Sequence, residues 1–94
     1  PPVKVYNALS PNGDDKHDYL EIENITAYPT NHVYIVNRWG DKVYEADGYN
    51  NTTVRFEGTS NRGGAAELPS GTYYYSIDLG KAGDRASGFL VLKR

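Results

Sequence analysis

The stretch 31–45, NHVYIVNRWGDKVYE, reads as a β-hairpin, and the rest of the chain reads as strands added on either side of it. Asn37-Arg38-Trp39-Gly40 has the chemistry of a type I turn: Asn at the first position bonds nearby backbone, and Gly at the fourth tolerates positive φ. A three-residue loop with a glycine bulge commonly joins antiparallel strands. With residues 38–40 as that loop, Ile35 is expected opposite Val43 on one face and Tyr34 opposite Tyr44 on the other. The rival two-residue turn at Gly40-Asp41 sets Trp39 opposite Lys42 and Asn37 opposite Tyr44. It matches apolar with apolar less well, so the first register is preferred.

Outward from the hairpin, short alternating runs recur between turn-forming clusters. Residues 3–9 (VKVYNAL) alternate as a first strand with Val3, Val5 and Leu9 inward, and Ser10-Pro11-Asn12-Gly13 stops it. In residues 19–23 (YLEIE), Leu20 and Ile22 are expected in the core and Glu21 and Glu23 in water. Residues 46–53 (ADGYNNTT) are polar and long enough to cross between sheets, 54–57 (VRFE) read as a short strand, and 58–67 (GTSNRGGAAE) as a flexible loop. The longest strand is 72–79 (TYYYSIDL), with Tyr73, Tyr75, Ile77 and Leu79 on its inner face and Tyr74, Ser76 and Asp78 on its outer one. After a hairpin loop at 80–87, residues 88–92 (GFLVL) are apolar on both faces, as an interior or partner-covered strand would be. The total is an all-β chain with no helical period. It predicts a two-sheet immunoglobulin-like sandwich of about seven antiparallel strands, with a small barrel as the alternative.

Ninety-four residues make a single domain, 1–94, in which Pro1-Pro2 reads as the end of an upstream linker. Nine Tyr with neither Cys nor Met fit the all-β profile, and without cysteine there is no disulfide to report the compartment. A net charge of −2 gives no reason to expect nucleic-acid binding, and no apolar run is long enough for a membrane helix. The isolated domain is expected to be a monomer. No cleavable signal stands at its start.

Four phrases, in this order and spacing, resemble one family: SPNGDDKHDYLEIENI at 10–25, VYIVNRWGDKVYE at 33–45, RFEGTSN at 55–61, and LPSGTYYYSIDL with GFLVLKR at 68–79 and 88–94. They look like the gliding-motility-associated C-terminal domain, the type B sorting domain of the type IX secretion system. The resemblance implies a non-catalytic signal at the C-terminus of a large, adhesin-like surface protein. It further implies recognition by the type IX translocon and a PorP-like outer-membrane protein, with transit through the periplasm to the cell surface or medium. Two motifs depart from the family pattern: Asn12-Gly13-Asp14-Asp15 stands where Asn-Gly-Asp-Gly is usual, and Phe56-Glu57-Gly58 where Trp-Asp-Gly is usual.

Several residues are candidates for function. Asn12, Asp14 and Asp18 form an oxygen-rich set of the kind that holds Ca²⁺, although Asp15 occupies the place of the bending Gly; a solvated loop capping its own backbone is the other reading. Trp39 at the hairpin tip, with Arg38, Gly40 and Lys42 around it, is either a partner anchor or a lid folded over one end of the core. The basic end, Lys93-Arg94, suits capture by a receptor, as the resemblance implies, or serves solubility. Tyr34, Tyr44 and Tyr74 on outer faces would form an aromatic platform in a carbohydrate-binding or adhesive module, the alternative function; cross-strand stiffening is the plainer role. Enzymatic readings are weak. His17 and His32 lie in loop-like or strand-start positions, no nucleophile elbow occurs, and Glu21 with Glu23 is the wet side of a strand. The sequons at Asn24, Asn50 and Asn51 matter only in a eukaryotic secretory pathway.

Overall fold

Alternation and turn chemistry together produce seven strands in the computed structural model, which describes residues 3–11, 18–62, 67–80 and 85–93. They are β1 (Lys4–Tyr6), β2 (Ala8–Leu9), β3 (Glu21–Glu23), β4 (His32–Val36), β5 (Lys42–Asp47), β6 (Gly71–Asp78) and β7 (Arg85–Leu92), with a 3₁₀ turn at Ile25–Ala27. β1 and β3 form a two-stranded antiparallel sheet, and the other five form a sheet in the order β2-β7-β6-β4-β5. The fold is the all-β, two-sheet arrangement expected of a sandwich. Inward residues of both sheets, including Ile22, Val33, Ile35, Tyr73, Ile77, Leu90 and Leu92, share one buried cluster.

The expected strand at 3–9 is two strands, because the chain leaves one sheet for the other at Asn7. The Asn7 carbonyl accepts the Val91 N–H at 2.8 Å and the Leu9 carbonyl accepts the Lys93 N–H at 2.8 Å. β2 therefore lies parallel to β7, and the sandwich is not wholly antiparallel. The expected strand at 54–57 does not form. Phe56 is nonetheless fully buried, and its carbonyl accepts the Leu20 N–H at 2.9 Å.

At the hairpin tip the turn follows its residues. The Gly40 N–H donates to the Asn37 carbonyl at 3.0 Å, the Asn37 N–H donates to the Asp41 carbonyl at 3.0 Å, and Gly40 has φ +85°. The Asn37 Oδ1 also accepts the N–H groups of Trp39 and Asp41, each at 3.0 Å. Val36 then faces Lys42 as expected, but a bulge follows, and Ile35 faces Tyr44 while Tyr34 faces Glu45. The expected pairs Ile35 with Val43 and Tyr34 with Tyr44 are thus wrong by one residue. The extra residue turns Tyr44 into the core, where it packs edge-on against Phe56 at 5.0 Å and burial pushes its hydroxyl pKa up to about 12.

Segments without strand partners find others. The Tyr49 hydroxyl donates to the Leu20 carbonyl at 2.5 Å and accepts the Phe56 N–H at 2.8 Å. The buried Asn31 accepts the Tyr49 N–H at 2.9 Å and donates to the Tyr28 and Tyr49 carbonyls. Two asparagines serve as single-residue strands at sheet edges. Asn51 bonds both the N–H and the carbonyl of Ile22 in β3, at 2.9 and 2.8 Å, and Asn61 does the same to Glu45 in β5, at 3.0 and 2.8 Å. Open strand edges invite pairing with other chains, and these amides occupy two of them.

Leaving a buried backbone group unpaired costs about 1–3 kcal/mol. Tyr49→Phe, which removes the hydroxyl from between Leu20 and Phe56, is expected to lower unfolding stability by about 2 kcal/mol or more in urea melts. Asn51→Ala is expected to lose about 1–3 kcal/mol. A neutral result for both would contradict the polar framework described here.

Candidate functional site

The hairpin tip, the start of β6 and the end of β7 share one end of the five-stranded sheet, because Val36 pairs with Tyr74 while Thr72 pairs with Val91. Trp39 is 71% exposed there, so it does not close the core. The Arg38 guanidinium lies over its ring at 4.3 Å. A cleft of about 210 Å³ separates residues 37–39 from residues 69–73. Gly40 and Lys42 are exposed beside it, and the Lys42 ammonium sits 3.4 Å from Glu45 and 4.8 Å from the centre of the Tyr34 ring. Lys93 is exposed at the same end of the sheet, one residue past β7, whereas Arg94 lies outside the described residues. The structure thus brings Arg38, Trp39, Gly40, Lys42 and Lys93 to one end of the molecule.

Other candidates separate. Asn12 and Asp14 lie outside the described residues, and among those described no group of three or more His, Asp or Glu is placed to hold a metal. Tyr44 is buried, so the platform of three tyrosines does not form. Tyr34 and Tyr74 remain on the outer face, where they line a groove of about 590 Å³ with Val36 and Phe89.

His32, set aside above as a strand-start residue, is the centre of an ion cluster on that outer face. Its Nδ1 lies 2.5 Å from Asp47 Oδ1 and its Nε2 lies 2.6 Å from Glu45 Oε2. A neutral imidazole has only one N–H, so serving both carboxylates as a donor requires the protonated ring. The bond to Asp47 raises the His32 pKa above the ordinary imidazole value, and Glu45 adds to it; the bond to His32 in turn holds the Glu45 carboxyl below its usual range. Arg62 reaches the other Glu45 oxygen at 3.2 Å. The expected register sets His32 opposite Ala46; the bulge that sets it opposite Asp47, and Tyr34 opposite Glu45, was not readable.

Two outcomes follow from this geometry. Trp39→Ala is expected to change unfolding stability by less than about 0.5 kcal/mol, as for a surface residue, and acrylamide is expected to quench Trp39 fluorescence readily. The His32 contribution to stability is complete below the ordinary imidazole pKa and is lost as pH rises through the raised one. The Glu45 contribution is present above the ordinary carboxylate pKa and is lost as pH falls through the depressed one. His32→Gln is therefore expected to remove a small alkaline-side fall in melting temperature, kept small by solvent screening of this exposed cluster. NMR titration of the ring is expected to give a midpoint above that of free imidazole.

The geometry is an exposed tryptophan, flanking cations and an aromatic groove, on a scaffold whose buried side-chain polar atoms are all bonded among the described residues. No helix among the described residues is long and apolar enough to cross a membrane. No curated protein and no solved structure matches the chain. The family model for the CHU_C type IX secretion signal domain matches residues 3–92, nearly the whole sequence. Such a signal implies recognition by the type IX secretion system and export towards the cell surface or the medium. The chain belongs to the type IX secretion signal domain family.

Proposed function

We propose that this chain is the C-terminal sorting domain of a large, adhesin-like surface protein. It folds in the periplasm and directs its passenger across the outer membrane by binding a PorP-like component of the translocon. The match to the signal-domain family over residues 3–92 carries this reading. The contact is made by Arg38, Trp39, Gly40, Lys42 and the Lys93-Arg94 end, and the domain works by binding, without catalysis. An exposed aromatic flanked by cations is the surface chemistry of a binding anchor, and Trp39 and Arg38 have it. The sugar-binding alternative has less support, because Tyr44 is in the core and Lys42 lies over the Tyr34 ring.

A reporter fused to residues 1–94, behind a periplasmic signal peptide in a host with the secretion system, is expected to reach the medium or cell surface. The same fusion ending before β7 is expected to stay in the cell. Retention of the complete fusion, with the reporter folded and stable, would count against the sorting role. Trp39→Ala in the exported fusion is expected to lower the secreted fraction roughly tenfold if the tip is an anchor residue.

A further inference from the structure

We infer that the outer face of the five-stranded sheet is a docking face for a protein of the export machinery, whose complementary surface is an apolar ridge bordered by carboxylates. The inference rests on the signal-domain reading and extends it from the hairpin tip to a whole sheet face. Among the described residues the exposed large hydrophobics are Trp39 (71%), Tyr74 (47%), Phe89 (51%) and Val91 (41%). The last three lie on this face by strand alternation, and the pairings put them in adjoining rows. Lys42, Val36, Tyr74 and Phe89 form one row across β5, β4, β6 and β7. Thr72, Val91 and Ala8 form the next across β6, β7 and β2. The groove of about 590 Å³ borders the first of these rows at Val36, Tyr74 and Phe89 and continues over the neighbouring row of Tyr34, Ser76 and Ser87 to Arg85. The outer face of the small sheet is different in kind, with Glu21, Glu23 and Lys4 exposed.

Charge says what covers the strip. Lys42, Arg55, Arg62 and Arg85 each meet a carboxylate of their own chain. Arg38 and Lys93, at the strip's end, meet none among the described residues, and Arg38 is instead stacked on Trp39. Among the described residues the anions at the opposite end of the same face are already engaged, Glu45 and Asp47 by His32 and Asp78 by Arg85 at 3.7 Å. A second copy packed head to tail would therefore offer those cations little free negative charge. A planar bilayer would meet the hairpin tip but would not fill a groove. A protein ridge with carboxylates at its border satisfies both the apolar strip and the two cations.

The test uses the exported reporter fusion of residues 1–94, with three sets of substitutions: Tyr74→Ser with Phe89→Ser, Arg38→Glu with Lys93→Glu, and the control Glu21→Ser on the small sheet. Melting temperatures of the isolated domains are measured alongside. With the unsubstituted fusion exported, each outer-face pair is expected to cut the secreted fraction roughly tenfold or more with little change in melting temperature, while Glu21→Ser leaves export unchanged. Should the aromatic pair unfold the domain, p-benzoylphenylalanine in place of Phe89, compared with the same probe in place of Glu21, decides. The probe at 89 is expected to cross-link to an outer-membrane protein and the probe at 21 is not. Wild-type export by folded outer-face variants would overturn the inference and leave the signal reading standing, as would a probe at 89 that captures only a second copy or lipid. Retention of the unsubstituted fusion would instead reject the signal reading.

Discussion

The Tyr49 hydroxyl, bonded at once to the Leu20 carbonyl and the Phe56 N–H, holds together parts of the chain that no strand pairing joins. Between β5 and β6 the described residues form no strand, only the isolated bridge of Thr59 with Glu67. Every buried peptide group there needs a partner, since an unpaired one costs more than the bond itself returns. Tyr49 and Asn31 partner peptide groups of that segment, Asn51 and Asn61 reach from it to the backbone of β3 and β5, and Phe56 and Tyr49 bring apolar bulk to the core. Burial moves the Tyr49 hydroxyl pKa far upward, so it stays a neutral donor over the physiological range.

How much of this could be read in the sequence depends on the range of the interactions involved. The turn at residues 37–40 was legible because Asn and Gly act on backbone within four residues, and so were the two faces of β6, where alternation runs unbroken. The bulge near Val43 was not. It is selected by what the core needs on the inner side of β5, namely Tyr44 against Phe56, and local propensity does not see that contact. For the same reason Tyr49 passed as part of a polar crossing. A lone aromatic within ADGYNNTT was the available signal, but its partners lie at Leu20 and Phe56. Val54 to Glu57 has strand composition without a neighbouring edge to bond, so propensity failed there to tertiary context.

At the candidate site, Arg38, Trp39, Gly40, Lys42 and Lys93 lie at one end of the sheet, since a hairpin tip and a terminal strand are both read from chain order. Their apolar neighbours were harder to connect. Tyr74, Phe89 and Val91 were each placed on strands, but only the pairing of β6 with β7 and of β4 with β6 makes them adjoining rows beside Trp39. The scaffold and the surface answer to separate constraints. Inward positions form the buried core, and the outward strip carries exposed apolar groups beside two cations that meet no carboxylate among the described residues.

The parallel contact of β2 with β7 ties the entering and departing ends of the domain side by side. Tension applied between a passenger upstream and a grip on the last residues would run along both strands in opposite senses. It would load the Asn7–Val91 and Leu9–Lys93 hydrogen bonds together, in shear, where an antiparallel terminal pair would peel open one bond at a time. The topology thus gives the domain a lengthwise mechanical latch between β2 and β7.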